Sequence, residues 1–303
     1  MERKDFLKLL AFTPLIPQQM NLSEFEKVTT DLPIQSGKMP VLFTSHGNPM
    51  DIPKSRDERP FWNSLFELGK DLQNKFEIKA ALVVSAHWCT TKDTQVNVSP
   101  TQKQIYDYYG FPKEYYEVIY QANGAPDIAA QVKHLIPDVK ETMDWGLDHG
   151  AWPMLMHLFP EANVPVFQMS INYYASPTYH YELGKQLKKL REKGVLIIGS
   201  GSMIHNLQLV MNKMRTGDLS PFGWEAEYDE WLKTQLIERN VNNLINYETS
   251  HKLGKLASPT PDHYVPVLYS LGLMDKGDDL SFFYEENATI PAFSERSFLL
   301  KQS

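Results

Sequence analysis

The chain has 303 residues, with 30 basic against 37 acidic side chains and a formal net charge of −7. That balance, spread without long runs of either sign, lacks the basic stripe of a nucleic-acid binder, and no apolar run approaches the roughly 20 residues that span a bilayer. A single cysteine, Cys89, excludes an intrachain disulfide, a zinc ribbon and a dithiol redox motif, and beside a strand end it reads as a small buried hydrophobe.

The first 38 residues read as an N-terminal extension. Arg3-Lys-Asp-Phe-Leu-Lys8, followed by the apolar stretch Leu9 to Ile16, is a degenerate form of a twin-arginine export signal, with Lys in place of the second Arg. Pro14 and Pro17 interrupt it and no small-x-small cleavage site follows, so an amphipathic extension is the plainer reading. The expectation is a cytoplasmic protein, with twin-arginine export to the periplasm as the alternative.

From Met39 onward strand and helix patterns alternate. Pro40 to Ser45 is a short apolar strand, and residues 61 to 76 carry apolar side chains at helical spacing. Ala80 to Ser85 is a second strand. The segment Tyr106 to Tyr120 is dense in aromatic residues and reads equally as a wall over a planar ligand or as a packed loop. Ile128 to Ile136 is helical, Val164 to Ile171 is a third strand, and 178 to 193 is an amphipathic helix stopped by Gly194. Val195 to Gly199 is a fourth strand, Trp224 to Glu238 a helix, then a loop leads to Pro261. Tyr264 to Leu271 is helical and Ser281 to Tyr284 a late strand. Several strands are continuously apolar, which implies burial on both faces. The expected architecture is α/β: one domain over 39–303, with a mostly parallel or mixed central sheet flanked by helices.

The histidines carry the chemical signal. His46 follows the first strand, His87 the second, and His205 lies just past the fourth, across Gly199-Ser-Gly-Ser202. His149 sits in a turn before a helical stretch from Trp152, and His263 lies between Pro261 and Pro266. In open α/β sheets the binding crevice lies at the carboxyl ends of the strands, and imidazoles delivered there suit iron, zinc, copper or nickel. A single histidine after a strand is usually a loop residue; strands ending Thr-Ser-His and Ser-Ala-His are less easily dismissed. His134, His157, His180 and His251 read as surface or packing residues, and Trp88 and Trp152 as walls of the pocket. Nucleophile-elbow, Walker, dinucleotide-loop and zinc-protease motifs are missing.

Six motifs occur in order: Ser45-His-Gly-Asn-Pro-Met50, Val83-Val-Ser-Ala-His-Trp88, Tyr109-Gly-Phe-Pro112, Gly146-Leu-Asp-His-Gly-Ala-Trp152, Gly201-Ser-Met-Ile-His-Asn-Leu207 and Pro259-Thr-Pro-Asp-His-Tyr-Val-Pro266. The set resembles the 4,5-DOPA extradiol dioxygenase family, within the class III, LigB-like ring-cleaving enzymes. The resemblance implies a mononuclear divalent metal, Fe(II) for activity with Zn(II) as another ion the site could hold. It assigns His46, His87 and His263 as ligands. His205 takes the role of acid–base catalyst or further ligand, and His149 that of a residue contacting substrate or oxygen. The implied partners are a small catechol and dioxygen, acting on a monomer or small homo-oligomer. A zinc-dependent hydrolase or lyase, and a catalytically silent metal-binding protein of the same fold, are the alternatives.

Overall fold

Four buried strands run parallel at the centre of one mixed sheet. The computed structural model describes residues 37–285 and 290–302; the export-signal pattern lies outside them. The strands are β1 (Val41–Thr44), β2 (Ala80–Thr90), β3 (Gln95–Asn97), β4 (Lys140–Thr142), β5 (Val166–Asn172), β6 (Val195–Ser200), β7 (Asp278–Tyr284) and β8 (Ser297–Gln302). They form an eight-stranded sheet in the order β4-β3-β5-β2-β6-β1-β8-β7. β5, β2, β6 and β1 are mutually parallel, while β3 and β8 pair antiparallel to the inner four.

Continuous apolar sequence in β1 and β6 matches burial at every position of both strands. Leu42, Ala81, Val83, Leu196 and Ile198 share one cluster with Phe61, Trp62, Leu155 and Leu158, from the helices Pro60–Lys75 and Trp152–Leu158. Side chains alternate along a strand, so Val41, Phe43, Leu82 and Ile197 face the opposite layer. That layer includes the helix Val265–Leu273, buried at every residue, which packs on β6, β1 and β2 and against the helix Pro177–Gln186.

Several expected elements change on folding. The helix read over 178–193 is two pieces, Pro177–Gln186 and Lys188–Arg191. At Leu187 the backbone N–H is shared between the carbonyls of Leu183 and Gly184, both at 3.2 Å, which tightens the turn and ends the first piece. The loop read before Pro261 contains three short helices, Val241–Ile245, Tyr247–Ser250 and Gly254–Ala257. β3, β4 and the helix Leu207–Thr216 were not expected at all.

The largest change is in β2, which continues to Thr90, so His87 lies inside a strand rather than after it. Its pairing with β5 jumps from Val84–Met169 to Cys89–Ile171, five residues along one strand against two along the other. Such a bulge bends the strand and re-aims the unpaired side chains, here those around His87. Cys89 is exposed, contrary to the buried hydrophobe read from its position. Partial enclosure and the carboxylates of Asp262 and Asp148 push its thiol up to about 12, so it is no ready nucleophile.

Candidate metal centre

β6 sits between β1 and β2, and Ser200 is in register with both Thr44 and Ser85. His46 and His87 each lie two residues beyond those partners, so they emerge at one level on either side of the end of β6. Their Nε2 atoms are 3.1 Å apart. His263 comes from the turn before the helix Val265–Leu273, tied to the end of β6 by Ser202 N–H donating to the His263 carbonyl at 2.8 Å. Ring centroids of His46, His87 and His263 are separated by 4.9, 5.4 and 5.0 Å, a nearly equilateral triangle.

His149 and His205 join the same cluster. His149 lies 3.8 Å from His87 and 5.7 Å from His46, centroid to centroid. His205, held by its backbone N–H on the Ala257 carbonyl at 2.8 Å, stacks on His263 with centroids 3.5 Å apart and ring planes 3° from parallel. All five histidines singled out in the sequence therefore meet. The other histidines behave differently. His157 stacks on Trp62 at 4.5 Å, and His180 bonds Tyr269 Oη and the Asn172 carbonyl, both at 3.1 Å. Ligand atoms of His46, His87 and His149, and separately of His205, Asp262 and His263, lie close enough to hold an ion.

Three oxygens organise the rings, and the sequence reading gave none of them a role. Ser200 Oγ donates to the Gly150 carbonyl, so toward His46 Nδ1, 3.2 Å away, it can only accept. Asp107 Oδ2 is 3.2 Å from His87 Nδ1 and 2.9 Å from His149 Nδ1. Asp262 Oδ2 accepts from His263 Nδ1. On His46 and His263 the hydrogen therefore sits on Nδ1, which leaves a lone pair on each Nε2, while beside His87 and His149 the Asp107 carboxylate supplies charge without an aligned hydrogen bond. With a hydrogen on one of them the His46 and His87 Nε2 atoms share a hydrogen bond at 3.1 Å, and with none they offer two lone pairs to a cation. Three imidazole rings set in this triangle form a donor set that fits a divalent transition metal once the nitrogens facing it are free of hydrogen.

Behind the cluster, fully buried Asp148 accepts from Ser85 Oγ at 2.6 Å and from Trp145 Nε1 and Gln168 Nε2, both at 2.9 Å. Burial raises its carboxyl above the ordinary range. Burial likewise holds His46 and His205 well below the usual histidine value, lowers His263, and brings His149 to about 4. In His87 the same desolvation is outweighed by the Asp107 carboxylate, and the value rises.

The aromatic segment contributes one ring to this end of the sheet: Tyr108 meets His149 edge-on at 5.6 Å. Tyr109 points into solvent, 88% exposed. Trp88 and Trp152, read as pocket walls, are instead packed in the interior. Trp152 is fully buried and donates to the Ile105 carbonyl at 3.1 Å, and Trp88 is stacked parallel to Trp145. Indoles this large are driven into the core unless something holds them out.

The sequence model of the family described as the catalytic LigB subunit of aromatic ring-opening dioxygenase matches residues 40–294. A protein of Escherichia coli (strain K12) named 4,5-DOPA dioxygenase extradiol is 36% identical over 251 residues, covering 81% of this chain and 89% of that protein. A protein of the same name from Beta vulgaris is 39% identical over 236 residues, covering 76% and 85%. A crystal structure of an uncharacterized protein from Escherichia coli K12 superposes with a TM-score of 0.72 at 31% identity, over 86% of this chain and 99% of that one.

Proposed function

Since this chain belongs to the LigB family of aromatic ring-opening dioxygenases and is an extradiol dioxygenase, we propose that it opens a catechol beside its two hydroxyls, at one divalent metal held by His46, His87 and His263. The observation that carries this reading is the triangle of the three rings, with Ser200 behind His46, Asp262 behind His263 and the Asp107 carboxylate beside His87. Fe(II) bound there would supply open positions for both catechol and dioxygen and a path for electrons between them. Zinc fits the same nitrogens but cannot pass electrons.

His205 supplies the proton chemistry in this proposal. Burial keeps its imidazole neutral near pH 7, ready to take a proton from the catechol hydroxyl and return it as the ring opens. In this reading the stacked pair divides its work, His263 to hold the metal and His205 to face the substrate. His149, beside the Asp107 carboxylate at 2.9 Å, faces the same space and would hydrogen-bond a substrate hydroxyl through its Nε2. Donating to an oxygen atom would require it to take up a proton first, which its burial opposes more strongly than the neighbouring carboxylate favours.

Anaerobic loading with Fe(II), then a panel of catechols with oxygen uptake and absorbance of the ring-opened product recorded together, tests the reading. The zinc-loaded protein is expected to be inert in the same assay. Loss of a catechol with no oxygen consumed, or hydrolytic activity in the zinc form alone, would replace the oxygenase with the hydrolase or lyase reading.

A further inference from the structure

We propose that Phe293 is a positioning residue whose ring fixes the plane of His205, a role that rests on reading His205 as the proton carrier. Ser200 and Asp262 bond the rings of His46 and His263, and the Asp107 carboxylate lies beside His87 and His149. Among the described residues the His205 ring makes no ion pair and no hydrogen bond to another residue. Asp262 comes within 4.8 Å of it, but the Oδ2 of that carboxylate is taken by His263. Packing holds His205 instead. One face lies on His263, and the Phe293 ring meets it with centroids 5.5 Å apart and planes at 66°, an edge-to-face contact.

The local backbone explains why Phe293 lies there. Asn206 N–H donates to the Ala292 carbonyl and Ser294 N–H to the Ile204 carbonyl, both at 3.0 Å, so His205 and Phe293 stand opposite each other in an antiparallel bridge. They are its non-hydrogen-bonded pair, the arrangement that brings two side chains closest on one side. Ala292 N–H donates to Glu225 Oε1 at 3.0 Å, which ties this segment to the helix Trp224–Ile237. Beyond Phe293 lies a mostly apolar pocket of about 270 Å³, lined also by Leu219, Pro221 and Ile290. That is more than the roughly 150 Å³ that receives a benzene molecule. A side chain without the ring at 293 would open His205 onto the pocket and leave it resting on His263 alone. A ring held on one face can still slide and tilt, and misplacing a reacting group by about 1 Å costs on the order of 100-fold in rate.

The test uses the full-length protein loaded with zinc and labelled with 13C-histidine. Ring signals of His205, assigned by their loss in His205→Phe, should be narrow in the wild type. In Phe293→Leu, which keeps apolar bulk but not the flat ring, relaxation dispersion should show exchange on the μs–ms scale confined to His205. Zinc affinity should stay within about twofold of wild type. Loaded with Fe(II), the same variant should lose about 10- to 100-fold in kcat with KM within about twofold. Exchange of the His205 ring in the wild type would overturn the proposal, as would a Phe293→Leu protein in which His205 stays narrow. So would a kcat for Phe293→Leu within twofold of wild type while His205→Phe has lost its activity. Should Phe293→Leu fail to fold, Phe293→Met replaces it, and the wild-type relaxation remains a test in either case. The spectra involve neither oxygen nor a catechol. A His205→Phe enzyme that still turns over its catechol therefore sinks the proton-carrier reading without altering what they say of the hold of Phe293 on the ring.

Discussion

His205 and His263 lie face to face, ring centroids 3.5 Å apart and planes 3° from parallel. Replacing His205 with Phe keeps the stacked surface and removes both nitrogens. Under the proposed assignment, metal content stays near one ion per chain while turnover of a catechol falls roughly 100-fold or more. Metal analysis alongside steady-state rates separates the cases, because a collapse of metal content would make His205 a ligand. His46→Ala and His263→Ala should each abolish metal loading.

A side chain at position 150 would strike the back of the centre. A Cβ there would lie 2.3 Å from Ser85 Oγ and 2.8 Å from His87 Cδ2. Ser85 is held by its bond to Asp148, so the His87 ring has to give way. Gly150→Ala is expected to weaken zinc binding about tenfold or more while the protein still folds. Isothermal titration of the metal-free protein would show it, and unchanged affinity would mean that the ring can shift at no cost.

Gly69 is a packing position far from the chemistry. A Cβ there would sit 1.8 Å from the Leu158 carbonyl oxygen, where the helices Pro60–Lys75 and Trp152–Leu158 touch. Alanine improves helix propensity by about 1 kcal/mol, but forcing two helix backbones apart costs about 3 kcal/mol, so the clash wins. Gly69→Ala should lower the unfolding free energy by a net of about 2 kcal/mol, read as a lower urea midpoint at unchanged slope. A variant as stable as wild type would show that the interface yields.

Acid sensitivity should arise partly outside the centre. Burial, assisted in His157 by the charge of Arg56, holds His157 and His180 at about 4, against an ordinary value of about 6.5. The unfolded chain therefore takes up these protons first as pH falls. The stability they leave intact above about pH 6.5 is lost progressively down to about pH 4, by up to roughly 3 kcal/mol per ring. Urea midpoints at pH 7 and pH 4.5 should differ less in His180→Gln than in wild type. An equal difference in both proteins would remove His180 from this account.

Elements with enough length to show a period were legible in the sequence. The helix Trp224–Ile237 and the strand Val195–Ser200 fall within a residue or so of where their patterns place them. Three-residue strands such as Gln95–Asn97 are too short to carry a period, and they form because β5 and β4 lie alongside. The helix Leu207–Thr216 left a fainter trace: Asn206 caps it by accepting from Leu209 N–H at 3.1 Å, and Gly217 ends it at φ 70°. Of its residues only Val210 is buried, so burial gives its pattern little support.

By itself the sequence determined the α/β class, the six family motifs and the histidines they contain, because periodicity and motif spacing are local properties of the chain. Folding alone decided that His87 would be turned by a bulge in β2, that Trp152 would be core, and that Ser200, Asp107 and Asp262 would each stand behind a ring. Ser200 and Asp107 reach their histidines through strand register and loop anchoring across long stretches of chain. Asp262 adjoins His263 in sequence, yet adjacency does not say which way either side chain turns. Such contacts follow from the closure of the whole sheet, to which no single segment holds the key.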